Sequence, residues 1–158
     1  MIMLRRLTQD DLPRFRQFLK ENWGDEFVVA HGVIYHPDTL EGFIALDEEE
    51  WLGAITYSFI DEGCEIVTLD SLREGQGLGT KLINAVLEQA RKQGCGRVFL
   101  ITTNDNLHAL GFYQKRGFQL VKISRGAVNV SRKIKPGIPL VGMNGIPLRD
   151  EIELEMKL

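Results

Sequence analysis

Cysteine is scarce in this sequence. Only Cys64 and Cys95 occur, and they form neither a CxxC pair nor part of a His/Cys cluster at the spacing of metal ligands. A disulfide scaffold and a zinc site are therefore not expected, and we expect no metal. The two thiols could form one disulfide, but buried free thiols in a cytosolic protein are the favoured interpretation.

Long apolar runs and an excess of basic residues are also missing. The N-terminal residues 1–6 are followed by polar residues 8–11, which argues against a secretory signal, and no stretch approaches transmembrane length. A formal net charge of −3 gives no basic field that would attract nucleic acid or an anionic membrane. We therefore expect a single cytoplasmic domain, residues 1–158, with neither of these as a partner.

Hydrophobic periodicity predicts alternating strands and helices. A first helix begins near Pro13, and a long one ends at Gly94, where a C-cap glycine belongs. Predicted strands cover residues 2–7, 42–47, 51–60, 64–69, 98–102, 118–124 and 152–158, with helices at about 12–22, 78–93 and 107–116. Residues 27–35 have strand composition interrupted by Gly32. This order implies a mixed sheet with helices packed against it.

Three glycines, at positions 75, 77 and 79, occur in the segment Arg73-Glu-Gly-Gln-Gly-Leu-Gly-Thr80, between a predicted strand and a predicted helix. Glycine lets the backbone turn tightly and approach a ligand, and the helix start offers amides and a positive dipole end. These features predict a phosphate cradle, the alternative being a tight turn without ligand. A Rossmann fingerprint requires glycine three residues after Gly77, where this sequence has Thr80. A P-loop requires the order Gly-Lys-Ser/Thr, whereas the order here is Gly79-Thr80-Lys81.

At these residues the sequence resembles the GNAT N-acetyltransferase superfamily. Its first signature, Gln/Arg-x-x-Gly-x-Gly/Ala, is matched by residues 74–79 except that Glu74 replaces Gln or Arg. Its second signature is similar to Asn106-x-x-Ala109-x-x-x-Tyr113, followed by Lys115-x-Gly117-Phe118. The resemblance covers about residues 51–124. It implies an α/β (α+β) fold with a mixed, mostly antiparallel central sheet of about six to seven strands flanked by helices.

The resemblance also implies acetyl-CoA as the co-substrate. The residues expected to bind it are Leu69, Glu74, Gly75, Gln76, Gly77, Leu78, Gly79, Thr80, Asn106 and Tyr113. The Pro- and Gly-rich segment 126–149 is long enough for a functional loop or lid. Its cluster of Arg132, Lys133 and Lys135 either meets the coenzyme 3′-phosphate or is solvated, and solvation is favoured. Asn104 and Asp105 are expected to cap the short helix that follows them.

The implied activity is transfer of the acetyl group to a primary amine by direct attack on the thioester. Tyr113 is the expected acid for the leaving thiolate, the alternative being an aromatic residue packed beside Phe112. Glu65 is the expected general base. The alternative is that Glu65 faces outward and is paired with a cation. His31 or a water is the other candidate base, and Asp70 and Asp105 have no distinguishing feature.

Two other classes of function stay open: a non-catalytic acyl-CoA-binding or sensing module of the same fold, and a partner-binding domain that uses residues 126–149. The acceptor is expected to be a small-molecule or peptide amine. Acidic residues such as Glu65, Asp150 and Glu151 could line a pocket for a cationic amine. A homodimer also stays open, since dimers are common in folds of this kind.

Overall fold

The computed structural model describes residues 1–158, which form nine strands and four α-helices. The strands are β1 (Ile2–Arg6), β2 (Val28–Ala30), β3 (Val33–Tyr35), β4 (Glu41–Asp47), β5 (Glu50–Ile60), β6 (Gly63–Ser71), β7 (Arg97–Thr103), β8 (Gln119–Ser124) and β9 (Glu151–Lys157). The helices are α1 (Leu12–Trp23), α2 (Leu78–Gln93), α3 (Leu107–Lys115) and α4 (Ala127–Ile134). None of these helices has the length and apolarity that a membrane crossing requires.

The chain divides into two compact units. The first contains Met1–Val28, His36–Val98 and Leu158, and the second contains Val29–Tyr35 and Phe99–Lys157. In the first unit the strands follow the order β1-β4-β5-β6 with antiparallel pairing throughout. In the second unit the order is β7-β9-β8, and β8 and β9 are antiparallel. These seven strands and four helices confirm the predicted mixed, mostly antiparallel α/β class.

The core of the first unit lies between α1 and the inner strands. The helical spacing of its apolar residues puts Phe15, Phe18 and Leu19 on one buried face. These side chains pack against Ile44 of β4 and Trp51 of β5. Burying each such side chain stabilises the fold by about 1.5–3 kcal/mol, so this face fixes α1 on the sheet.

A charged corner joins β1 to α1. Both terminal guanidinium nitrogens of Arg5, Nη1 and Nη2, donate to the Asp11 carboxylate, at 2.7 and 2.8 Å. The same carboxylate accepts bonds from the main-chain N–H and the hydroxyl of Thr8, at 2.8 and 2.9 Å. These bonds, led by those from Arg5, hold the pKa of Asp11 well below its ordinary range. The carboxylate therefore contributes to stability only while it is ionised.

The structure differs from the sequence prediction in segment 126–149. Where a long loop was expected, residues 127–134 form α4, and residues 143–145 form a 3₁₀ turn. Valine, asparagine and serine are weak helix formers, so local propensity gave no signal for α4. The helix is instead held by tertiary hydrogen bonds: Gly126 N–H donates to the Asp150 carboxylate at 2.8 Å, and Val128 N–H donates to the Arg149 carbonyl at 3.0 Å.

Replacement of Asp11 by Asn tests the charged corner. We expect Asp11→Asn to lower the free energy of unfolding by about 1–3 kcal/mol at pH 7, because charge-assisted hydrogen bonds are lost. The folded-state pKa lies below the ordinary value of 3.8, so this contribution is present above that pH and is lost as the pH falls further. Urea unfolding of both proteins from pH 7 to pH 2.5 should show their difference shrinking in acid.

The neighbouring Asp10, which is exposed, supplies the matched control. Asp10→Asn should change the free energy of unfolding by less than about 0.5 kcal/mol. A difference between wild type and Asp11→Asn that stays constant across this pH range would contradict the role given to the carboxylate.

Candidate active site

The glycine-rich turn connects β6 to α2 within the first unit. Gly75 and Gly77 adopt left-handed φ angles of 76° and 70°, which explains why glycine stands at both positions. Gly77 is also the N-cap of α2, and no side chain caps this helix end. Glu74, Gly75, Gln76 and Gly77 are exposed, and added Cβ atoms at Gly75 and Gly77 would meet no neighbouring atom. The turn therefore presents a helix N-terminus to open space, the geometry that suits a phosphate.

Two charged residues stand beside the turn. The Arg73 guanidinium donates to Glu50 at 2.7 Å and lies 3.8 Å from Asp47, both at the acidic turn between β4 and β5. Arg73 is thus bound to the hairpin and does not offset Glu74 as a free cation. Further along α2, Leu78 and Gly79 are buried, which anchors the first helical turn. Thr80 is half-buried.

Strand β6 leads into the turn and contains two of the predicted site residues. The pairing with β5 shifts between Thr56 and Tyr57, so that Val67 is an extra, bulged residue in β6. A bulge takes main-chain groups out of the ladder and is frequent beside active sites. Leu69 pairs with Ile55 beyond the bulge. Glu65 is only 1% exposed, which contradicts the outward-facing alternative.

Asp70, the residue after Leu69, acquires a distinguishing feature in the structure. The indole N–H of Trp23 donates to its carboxylate at 2.9 Å. Burial raises the pKa of Asp70 to about 6, against a smaller lowering effect of the Trp23 bond. A carboxyl group that titrates near neutral pH at the end of β6 is suited to proton transfer. No sequence pattern could have revealed this, because the shift arises from burial.

The second signature forms α3 in the second unit. Asn106 is the N-cap of this helix, and its side-chain oxygen accepts a hydrogen bond from Ala109 N–H at 3.1 Å. Tyr113 is 8% exposed and makes edge-to-face contacts with Phe112 and Phe118, at centroid distances of 5.3 and 5.5 Å. The aromatic packing proposed as the alternative role is therefore present. It fixes the ring and leaves the role of the hydroxyl as a prediction.

The predicted caps Asn104 and Asp105 have a different role, and that prediction is wrong. The side-chain oxygen of Asn104 accepts the main-chain N–H groups of Arg149 and Asp150, at 3.0 and 2.9 Å. Asp105 is 2% exposed, and its carboxylate accepts bonds from the Thr103 hydroxyl and from Met143 N–H. These residues tie segment 126–149 to the end of β7, while Asn106 caps the helix.

The cluster of Arg132, Lys133 and Lys135 does not behave as one solvated group: Lys133 is exposed, whereas the half-buried Arg132 is hydrogen-bonded within the segment. The Arg132 guanidinium donates to the carbonyls of Ile138, Pro139 and Leu148 and to the side chain of Asn129. An arginine with five donors suits such a cluster of carbonyl oxygens, which a lysine could not bridge in the same way. Arg132 is therefore an internal support of the segment, and it is not available for a coenzyme phosphate.

His31 lies in the turn between β2 and β3, where its φ is 41° and that of Gly32 is 76°. Its main-chain N–H donates to both oxygens of the Glu151 carboxylate, at 3.1 and 3.2 Å. Its imidazole contacts the Tyr35 hydroxyl at 3.1 Å. His31, the alternative base, and Glu151, an expected pocket residue, are thus brought together, whereas Asp150 accepts its bond from Gly126.

Comparisons with known proteins give the family. A model of the acetyltransferase (GNAT) family matches residues 3–118. The uncharacterized protein YxbD of Bacillus subtilis (strain 168) is 44% identical over 142 residues, which cover 89% of each chain. The chain belongs to the GNAT acetyltransferase family, as the glycine turn and the α3 motif predicted.

Solved structures show the same fold. An IAA acetyltransferase from Bacillus cereus ATCC 14579 matches with a TM-score of 0.76 and 20% identity over 100% of both chains. A GNAT family acetyltransferase from Elizabethkingia anophelis with acetyl-CoA bound matches with a TM-score of 0.69 and 22% identity, covering 99% of this chain and 98% of that one.

The two ends of α2 allow a matched test of the cradle. We expect Gly77→Ala to weaken acetyl-CoA binding at least about tenfold, because a left-handed alanine is strained and its Cβ projects into the space offered to phosphate. Gly94→Ala is the control, since Gly94 at the other end of α2 has a φ of 81° and equally open surroundings. Both variants should lose similar stability, and calorimetric titration should show weaker binding only for Gly77→Ala. Equal losses of affinity would contradict the cradle.

Proposed function

We propose that this protein binds acetyl-CoA and transfers its acetyl group to a primary amine by direct attack on the thioester. The observation that carries the proposal is the start of α2, where the left-handed Gly77 leaves an uncapped helix N-terminus facing open space. Membership of the GNAT family and the acetyl-CoA bound to the Elizabethkingia anophelis structure support it. In the proposed complex, residues 74–80 hold the pyrophosphate, and Leu69 and Asn106 bind the pantetheine arm.

The chemistry requires a neutral amine, a stabilised oxyanion and a protonated thiol product. An alkylamine has a pKa of about 10.4, so its deprotonation at pH 7 costs about 4.6 kcal/mol. A base in the site offsets this cost, and Glu65 is the residue we propose for it, with Asp70 as the candidate that the structure adds. Main-chain groups around the Val67 bulge are suited to stabilise the oxyanion. Tyr113 is the proposed acid for the thiolate.

We propose a cytoplasmic enzyme that uses acetyl-CoA as co-substrate and needs no metal, and whose partner is the amine itself. If the protein bound acetyl-CoA tightly but transferred it to no amine, it would instead be an acyl-CoA-binding module.

Thiol release from acetyl-CoA with a panel of amines tests transfer, and Tyr113→Phe tests the acid. We expect wild type to release CoA with at least one amine, and Tyr113→Phe to lower kcat about 100-fold or more, because the proton donor is lost. Its dissociation constant for acetyl-CoA should stay within about twofold. Tyr57→Phe is the matched control, since Tyr57 is another buried tyrosine. A Tyr113→Phe variant with the kcat of wild type would exclude the acid role.

The pH dependence of kcat/KM identifies the base. If Asp70 is the base, activity requires its ionised form, and kcat/KM should fall as the pH drops below about 6, the pKa that burial gives this group. Asp70→Asn should abolish this acidic limb of the pH profile, the fall of kcat/KM at low pH, together with most of the activity. If Glu65 is the base, Glu65→Gln should instead cause the larger loss, and Asp70→Asn should keep the limb. Neither variant losing activity would show that both assignments are wrong.

A further inference from the structure

Trp23 of α1 and Asp70 of β6 form a contact that neither sequence motif explains. The indole N–H of Trp23 donates to Oδ2 of Asp70 at 2.9 Å, and the two residues are 47 positions apart in the sequence. Both residues belong to the first unit. Trp23 is the last residue of α1, and the left-handed Gly24 ends the helix directly after it. The contact therefore joins the C-terminal end of α1 to the last residues of β6.

The strand register puts the Asp70 side chain on the face of the sheet that packs against α1. Asp70 lies opposite Ala54 of β5. Ala54 is buried in the core cluster that α1 forms with the sheet. Because residues directly opposite each other in an antiparallel pair share a face, Asp70 lies beside this apolar core. This position explains why burial is the larger of the two effects on its pKa.

The two oxygens of the Asp70 carboxylate have different surroundings. Oδ2 accepts the Trp23 N–H, whereas Oδ1 has no hydrogen-bond partner within the protein and is not fully buried. An indole N–H can only donate, so Oδ2 must act as its acceptor whether the carboxyl group is charged or neutral. A proton that binds to Asp70 without breaking this bond therefore binds to Oδ1.

No charged side chain contributes to the shifted pKa of Asp70, whose causes are burial and the Trp23 bond. Glu65 lies on the same face, because the bulge at Val67 changes the alternation of β6, and it lies opposite Ser58. Ser58 is four residues from Ala54 along β5, a separation of about 13 Å. The ionisable residues nearest in sequence on α1, the loop after it, the turn between β4 and β5, and β6 are Lys20, Asp25, Glu26, Asp47, Glu50, Glu65 and Arg73.

We propose that Trp23 is a positioning residue, whose N–H holds Oδ2 of Asp70 so that Oδ1 takes the proton of the acceptor amine. The ammonium form of the amine passes one proton to Oδ1 and attacks as the neutral amine. Its nitrogen bonds to the thioester carbonyl carbon, and the C–S bond breaks with its electron pair on sulfur. A second nitrogen proton neutralises the thiolate by way of Tyr113. Asp70 then releases its proton to solvent, which a pKa of about 6 allows at neutral pH.

The inference rests on the proposed function, and it selects Asp70 over Glu65 as the base of that transfer. Glu65 is 1% exposed. Oδ1 of Asp70 is accessible, so it can take a proton from the amine and return it to water in each catalytic cycle. Trp23 fixes the orientation of this oxygen, and such positioning of a reacting group contributes to the rate.

The pH profile of Trp23→Phe tests the positioning role. Trp23 is 36% exposed, and phenylalanine keeps an aromatic ring there without the N–H. Since this N–H lowers the pKa of Asp70, its loss should raise the pKa and move the acidic midpoint of kcat/KM upward by at least about 0.5 pH unit. The KM for acetyl-CoA should stay within about twofold, because the glycine turn is unchanged.

Trp51→Phe is the matched control for this profile. Trp51 is the other tryptophan of the chain, and it packs against Phe15 and Phe18 of α1. Its replacement removes an indole N–H that does not bind Asp70, so the acidic midpoint should equal that of wild type. An unchanged midpoint in folded, active Trp23→Phe would overturn the inference.

Nuclear magnetic resonance of the wild-type protein gives a test that needs no variant. The indole N–H resonance of Trp23 should shift with pH around a midpoint near 6, because the carboxyl group that it binds changes charge there. The indole resonance of Trp51 is the internal control and should not show this midpoint. A Trp23 resonance that stays constant between pH 5 and pH 7.5 would overturn the inference.

The carboxyl carbon resonance of Asp70, followed in wild type and in Trp23→Phe, separates this inference from the proposed function. A higher pKa in Trp23→Phe, matched by the rise of the kinetic midpoint, would support the inference. A higher pKa with an unchanged kinetic midpoint would overturn the base assignment and leave the transferase standing. Failure to acetylate any amine would overturn the proposed function and the role of Asp70 together, even where the resonances show that Trp23 holds the carboxylate.

Discussion

The backbone conformation at Gly77 is the constraint on which the proposed site depends. A left-handed φ at this residue ends the turn after β6 and starts α2 in a single step, without a capping side chain. A residue with a Cβ is disfavoured in this conformation by about 1–2 kcal/mol. The burial of Leu78, Leu82 and Val86 along α2 secures the helix whose N-terminus is left open. Packing of the helix thus sustains an exposed set of main-chain donors, and this combination suits the proposed coenzyme cradle.

The second unit is organised by hydrogen bonds of polar side chains as well as by apolar packing. Asn104 and Asp105 accept main-chain N–H groups from segment 126–149, and Arg132 donates to carbonyls of the same segment. The approach is so close that a Cβ at Gly142 would collide with the Asp105 carboxylate. A buried polar group stabilises a fold only when it is hydrogen-bonded, and the Asp105 carboxylate is. The segment is therefore a braced part of the structure, in contrast to a solvent-exposed loop.

The parts of the fold that follow from local patterns were predictable. The apolar stripe of α2 and the glycine at its end predicted the helix, and the acidic turn between β4 and β5 was visible as a break between two apolar runs. Helix α4 was not predictable, because its residues are weak helix formers and the bonds that hold it come from residues 149 and 150.

The candidate site also has a part that local sequence patterns predicted and a part that depends on distant residues. The glycine spacing and the residues Asn106 and Tyr113 identified the family, because both motifs are contiguous in sequence. The position of Glu151 against His31 depends on residues 120 positions apart, and the raised pKa of Asp70 depends on burial. Neither the contact of Glu151 with His31 nor the raised pKa of Asp70 can be recognised from the neighbouring residues in the sequence. The misassignment of Asn104 and Asp105 has the same cause, since a residue before a helix is a plausible cap until its distant partners are known.

Calorimetric titration of the protein with acetyl-CoA, with NADH and ATP as controls, tests the central claim most directly. The account predicts saturable binding of acetyl-CoA and no saturable binding of either control, because the turn after β6 fits neither a Rossmann fingerprint nor a P-loop. The absence of acetyl-CoA binding at millimolar concentration would contradict the account. In that case the left-handed glycines would serve only to connect β6 to α2.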